Sequence, residues 1–181
     1  MTLNRSLKLL VLLFFNASIS AQDDTTSAPP APCLEDEAFA QFDFWLGEWD
    51  VHDADGNLVG TNRIEKVLKG CLVTESWEGA SGFVGTSINF IDKASGEWVQ
   101  VWNDASGGQI QIRGGLTDEG MRLVGTIHYV SNGKSFRFRG LWTPLEDGRV
   151  RQYFQQSEDG ISWTTWFEGF YTRRQEEIGE R

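Results

Sequence analysis

The sequence predicts an all-β fold, an up-and-down antiparallel barrel of about ten strands with a short N-terminal helix. Three observations predict it. Short β-rich runs follow one another from Phe44 onward, turn dipeptides separate them, and several runs alternate apolar with polar residues. The dipeptides are Asp55-Gly56, Ser95-Gly96, Gly107-Gly108, Glu119-Gly120, Asn132-Gly133, Asp147-Gly148 and Asp159-Gly160. Each suits a tight hairpin, because glycine reaches positive φ without a Cβ penalty. From Gly96 onward the turns recur every 12 to 15 residues. That spacing holds one strand with its loop and leaves no room for a helical crossover, so successive strands are antiparallel neighbours.

The strands fall in order at about 44–52, 58–68, 71–78, 83–91, 97–103, 109–115, 121–130, 135–143, 149–157 and 161–173. Alternation is plain in Phe136-Arg137-Phe138-Arg139, in Gln109-Ile110-Gln111-Ile112 and in Glu97 to Trp102. Each strand therefore has two unlike faces. Closing the sheet gives one face an interior and removes the edges that an open sheet of this size exposes. Two sheets packed face to face are the competing arrangement. The helical stretch is Glu35 to Gln41, about two turns, with Phe39 and Phe42 one turn apart and able to plug one end of the barrel. Alternation leaves open which face points inward: Arg137 and Arg139 share one, while Phe136, Phe138 and Trp142 share the other.

A chain of 181 residues, 40% hydrophobic and 23% charged with only 4 Pro, has the profile of one globular domain. Its 26 acidic against 16 basic residues give a net charge of -10, which argues against nucleic acid or an anionic lipid surface as partner. Residues 1–21 read as a signal peptide: Arg5 and Lys8 precede or interrupt an apolar run from Leu7 to Phe15, and Ala17 to Ala21 offers a small-residue cleavage site. The run is shorter than the roughly 20 residues of a membrane span. The mature chain is thus expected to have no transmembrane segment and to be periplasmic or secreted. Cleavage removes two basic residues and no acid, leaving 14 against 26 and a net charge of -12. Residues 22–32, rich in Asp, Thr, Ser, Ala and Pro, read as a flexible tether. The barrel domain then runs over 33–175, with a tail at 176–181. Cys33 and Cys71 are the only cysteines. An oxidising compartment suits a disulfide between them, and two separate thiols with Cys71 buried in a strand fit the sequence as well.

Gly47-Glu48-Trp49 on the first strand resembles the Gly-x-Trp signature of the lipocalin and calycin barrels. In those families the first-strand Trp packs across the closed end beneath an Arg from the last strand, a cation–π contact with a structural role. The resemblance therefore gives Gly47, Trp49 and Arg173, or its neighbour Arg174, structural roles. The longer stretch from Phe42 to Val51 is similar to the opening of a group of small exported bacterial proteins with a lipocalin-like domain and mostly unknown function. Gly96-Glu97-Trp98 with Val101 to Asp104, and Ser157 to Trp163 before Tyr171, fit the same pattern, so the resemblance spans about 42–173. Some relatives in the calycin group hold haem through a histidine near the end of the barrel. No His follows His128 here, and no cofactor is expected.

Chemistry-bearing patterns are few. His52-Asp53-Ala54-Asp55-Gly56-Asn57 carries acids near a Gly but lacks the ligand spacing of a calcium loop, and two histidines without a Cys-x-x-Cys pair make a zinc site unexpected. No metal is expected. A Gly-x-Ser-x-Gly elbow is missing. General acid–base chemistry needs only one or two titratable groups in an apolar pocket. His128, in a strand interior, or an interior carboxylate would serve. The strongest functional signal is the 8 Trp, more than a domain this small hides in a dry core. Some should line a pocket together with a few polar groups. Trp102, Asn103, Arg113, His128, Arg139, Trp142 and Gln152 are the candidate ligand-binding residues. The leading expectation is an exported, non-catalytic barrel that binds a partly apolar or aromatic small molecule. The alternatives are an isomerase, lyase or hydratase using the same pocket, and an interaction module of the cell envelope.

Overall fold

The computed structural model describes residues 30–175, and the expected signal peptide, most of the tether and the tail lie outside them. Ten strands form: β1 Gly47–His52, β2 Leu58–Val67, β3 Leu72–Gly79, β4 Val84–Asp92, β5 Glu97–Asp104, β6 Gly108–Thr117, β7 Gly120–Tyr129, β8 Lys134–Pro144, β9 Val150–Ser157 and β10 Thr164–Arg173. Each pairs antiparallel with its neighbours in sequence, and β1 pairs with β10, so the sheet closes into an up-and-down barrel. The packed-sheet alternative is set aside by this closure. Among the described residues no helix is long and apolar enough to cross a membrane.

The entry to the barrel differs from the expected two-turn helix. A short helix α1, Pro32–Glu35, is followed by a 3-10 turn at Glu37–Ala40. Asp36 separates them in extended backbone, with φ -94° and ψ 112°, and its carboxylate accepts from the Ala38 N–H at 3.0 Å. A side chain that caps the next turn competes with continuing the previous one. Pro32, the last residue of the expected tether, opens α1, where its missing N–H costs nothing. A second 3-10 turn, Asp43–Trp45, takes the residues expected to begin β1. Residues 161–163 belong to a turn instead of β10, because Asp159 accepts from the N–H groups of Ile161 and Ser162 at 2.7 and 2.8 Å.

These short turns close one end of the barrel. Phe42 stacks on Trp45 with ring centroids 4.9 Å apart and meets Trp142 edge-on at 5.3 Å, all three fully buried. Large side chains of this kind each stabilise by roughly 1.5–3 kcal/mol when buried. Trp49 donates its indole N–H to the Trp45 carbonyl at 2.9 Å, while the Arg173 guanidinium lies 4.4 Å above its ring and donates to the Leu46 carbonyl. Arg174 instead reaches Asp50. Gly47 has φ +133°, and a Cβ there would collide with the Arg173 guanidinium. Cys33 and Cys71 are joined by a disulfide, tying α1 to the link between β2 and β3.

The interior has two unlike walls. Along β6 to β8 it is apolar, built from Ile110, Ile112, Leu123, Ile127 and Phe138, while β2 to β5 contribute buried Asn62, Glu75, Ser87, Asn89 and Gln100.

Candidate functional site: an aromatic cavity with a polar floor

Beyond this polar belt, away from the plugged end, the barrel holds a cavity of about 160 Å³. Trp77, Phe83, Trp102, Phe154, Trp166 and Phe167 wall it, with Ile110, and Glu75, Gln100, Gln152 and Tyr171 form its polar floor. Three local features of the sequence make room for the rings. Gly60 and Gly85 face inward on the strands next to Trp77 and Trp102, two residues along from each indole's direct partner, and a Cβ on either would collide with the indole. A Cβ on Gly140, the strand partner of Phe154, or on Gly169, two residues after Phe167, would likewise collide with that phenyl ring. In β10 the pairing slips between Thr165 and Phe167, and this bulge lets the consecutive Trp166 and Phe167 both reach the cavity. Two of the indoles are anchored: Trp166 donates to the Tyr129 hydroxyl at 2.9 Å, and Trp102 to Asp104 at 3.4 Å.

Glu75 is the centre of the floor. It is 3% exposed, and its two oxygens each accept one hydrogen bond, Oε1 from the Asn62 amide at 2.7 Å and Oε2 from the Ser87 hydroxyl at 2.6 Å. Ser87 accepts from Asn89 at 2.9 Å and from Gln100 at 3.4 Å, and Gln100 also donates to the Asn89 carbonyl at 3.0 Å. On the other side the Asn62 amide donates to the Tyr171 hydroxyl at 3.2 Å, and that hydroxyl donates to Gln152 Oε1. Burial pushes the Glu75 carboxyl up to about 7, against the smaller opposing pull of the Ser87 and Asn62 hydrogen bonds. Burial, and then the Glu75 charge, raise the Tyr171 hydroxyl well above its ordinary value. The Asn62 carbonyl oxygen is buried without a hydrogen-bond partner. A carboxyl poised near neutrality in an apolar cavity can pair with a cation when ionised, donate a hydrogen bond when protonated, or accept a proton.

Trp102 and Gln152, of the residues predicted from sequence, line this cavity. Trp142 is interior but belongs to the plugged end, packed between Phe42 and Phe154. Asn103, Arg113, His128 and Arg139 lie on the outer face, because strict pairing carries the inward phase through Trp102, Ile110, Ile127 and Phe138. There Arg113 reaches Glu97 at 3.5 Å, His128 shares a hydrogen bond with Ser135 at 2.9 Å, and Arg139 lies 4.1 Å over the Trp163 ring. Sequence reasoning did not single out Glu75. The available signal is its position between Val73 and Trp77, two residues from each and on the same strand face. Among the described residues no group of three or more His, Cys, Asp or Glu is placed to hold a metal ion.

In comparisons with known proteins, no family model matches the chain and no curated protein matches it significantly.

Proposed function

We propose that the protein is a small-ligand-binding barrel acting outside the cytoplasm, related to the calycin group, and that the aromatic cavity is its binding site. The observation that carries this reading is the cavity itself: a space of about 160 Å³ walled by indole and phenyl rings over a floor with few polar groups. Such a mixture of aromatic walls and placed polar groups typifies small-molecule sites. The Gly-x-Trp opening and the Trp49–Arg173 contact support the kinship. The signal-like residues 1–21 and the disulfide support export. A screen of ring-sized molecules by tryptophan fluorescence tests the site, with Gly85→Leu, whose inward side chain would collide with the Trp102 indole of the cavity wall, as the control. Binding in the wild type and its loss in a folded Gly85→Leu variant are expected. Equal binding in both, or no binding by any molecule in the screen, would sink the reading.

Glu75 favours a second reading, proton transfer on a bound substrate, because a buried carboxyl near neutrality is suited to act as a base. His128, on the outer face, takes no part in it. Exchange of an acidic C–H of a bound ketone with deuterated solvent, abolished by Glu75→Gln, is its signature. Exchange no faster than in protein-free buffer would remove it.

A further inference from the structure

We propose that the ligand of this cavity is a small organic cation, an ammonium group on a body about the size of one aromatic ring, whose charge pairs with the Glu75 carboxylate. The proposal rests on the preceding reading of the cavity as a binding site and narrows it to one chemical class.

The hydrogen-bond network fixes the sign of the charge that the site accepts. Ser87 receives the Asn89 and Gln100 amides, so its own proton is directed at Glu75 Oε2, while the Asn62 amide is directed at Oε1. Donors converge on both oxygens, the arrangement that suits an ionised carboxylate. A buried charge also needs a counter-ion. No Lys, Arg or His lines the cavity among the described residues, and among them the groups acting on Glu75 are Asn62 and Ser87, neither of them a cation. The network is prepared for an ionised Glu75, and no side chain lining the cavity supplies the cation that would balance it.

The walls supply the rest of the recognition. Trp77, Trp102 and Trp166, with the phenyl rings beside them, surround the space above the carboxylate. Aromatic faces attract cations, indole most strongly, and a desolvated ammonium gains most from them. An anionic ligand would meet both the carboxylate and the negative ring faces. The net charge of -10 adds a field that draws cations toward the protein. Size follows from the volume, since an apolar cavity of about 150 Å³ takes one benzene ring.

Calorimetric titration of the full disulfide-bonded protein at pH 8 tests the proposal with four one-ring probes: benzylammonium, benzyl alcohol and benzoate, which are close in size, and the bulkier benzyltrimethylammonium. At least one ammonium probe should bind tenfold or more tightly than benzyl alcohol, roughly the scale of one buried charge pair, and benzoate should not bind. Glu75→Gln should weaken the ammonium probes by about tenfold or more, and by several-fold more than it weakens benzyl alcohol. Should that variant fail to fold, the wild type decides: affinity for whichever ammonium probe binds, each of them cationic throughout this range, should fall about tenfold or more between pH 8 and pH 5. Benzyl alcohol binding as tightly as the ammonium probes, or an ammonium affinity indifferent to both Glu75→Gln and pH, overturns the cation proposal and leaves the binding site standing. Failure of all four probes to bind overturns both.

Discussion

Ser87 donates its hydroxyl proton to Glu75 Oε2 across 2.6 Å, and the amides of Asn89 and Gln100 occupy the lone pairs that Ser87 would otherwise turn toward other donors. The carboxylate is therefore held by side chains that are themselves held, over three adjacent strands, β3 to β5. A floor of this kind is set before a ligand arrives. On the proposed binding role, the positions of its polar atoms, more than the shape of the aromatic walls, select the ligand.

Glu75 makes the stability of the barrel depend on pH in an unusual direction for a carboxylate. Its value of about 7 in the folded barrel lies above the ordinary 4.5, so the folded state holds its proton more tightly than the unfolded chain does. Its contribution favours folding most below pH 4.5 and is lost as pH rises from there through 7, by about 3 kcal/mol across the window. The other groups facing it, Asn62, Ser87, Gln152 and Tyr171, do not change charge in that range. Asp36, Asp53, Asp147 and Asp159 are lowered, so their contribution is lost only as pH falls below 3.8. Thermal unfolding should therefore give a higher Tm at pH 5 than at pH 8, with the gap shrinking in Glu75→Gln. An equal gap in the variant would contradict the assignment.

The fold was more legible than the site, for a physical reason visible in two strands. In β8 the phenyl rings of Phe136 and Phe138 alternate with Arg137 and Arg139, and the apolar set turns inward as hydrophobic burial demands. In β4 the phase is inverted: Ser87 and Asn89 are buried while Ile88 is 43% exposed. Hydrophobicity alone points that strand the wrong way. Its inward phase is set by register with Trp102 and Gln100 on β5, which a single strand read alone does not contain. The turn dipeptides were readable because glycine chemistry is local. The polar floor joins residues from β2 to β5 with others from β9 and β10, and only closure of the sheet brings them together.

At the plugged end, Gly47→Ala should destabilise the barrel by about 1–3 kcal/mol, through the strained backbone and the displaced Arg173. Arg173→Met should cost about 0.5–1 kcal/mol for the exposed cation–π contact with Trp49, plus a neutral carbonyl's share for the bond to Leu46. In urea unfolding, the double variant should cost less than the sum of the two single changes, because each disturbs the same guanidinium. Strict additivity would show that the close approach of Gly47 and Arg173 carries no energy.

Joining Cys33 to Cys71, 38 positions apart, restricts the unfolded chain and should contribute about 4 kcal/mol. Reduction, or replacement of both cysteines by serine, should lower the urea midpoint accordingly. Ligand affinity at the far side of the polar belt should stay within about twofold. A large loss of binding would mean that the two ends of the barrel are coupled.

The most direct test of the Glu75 site is a carboxyl-carbon NMR titration of Glu75 in the free protein and in the protein saturated with the ammonium probe that binds it most tightly. The free midpoint should lie near 7 and should fall well below it once a cation sits on the carboxylate. A midpoint that stays in place on saturation, or that rises, would contradict a cation-binding role for this cavity.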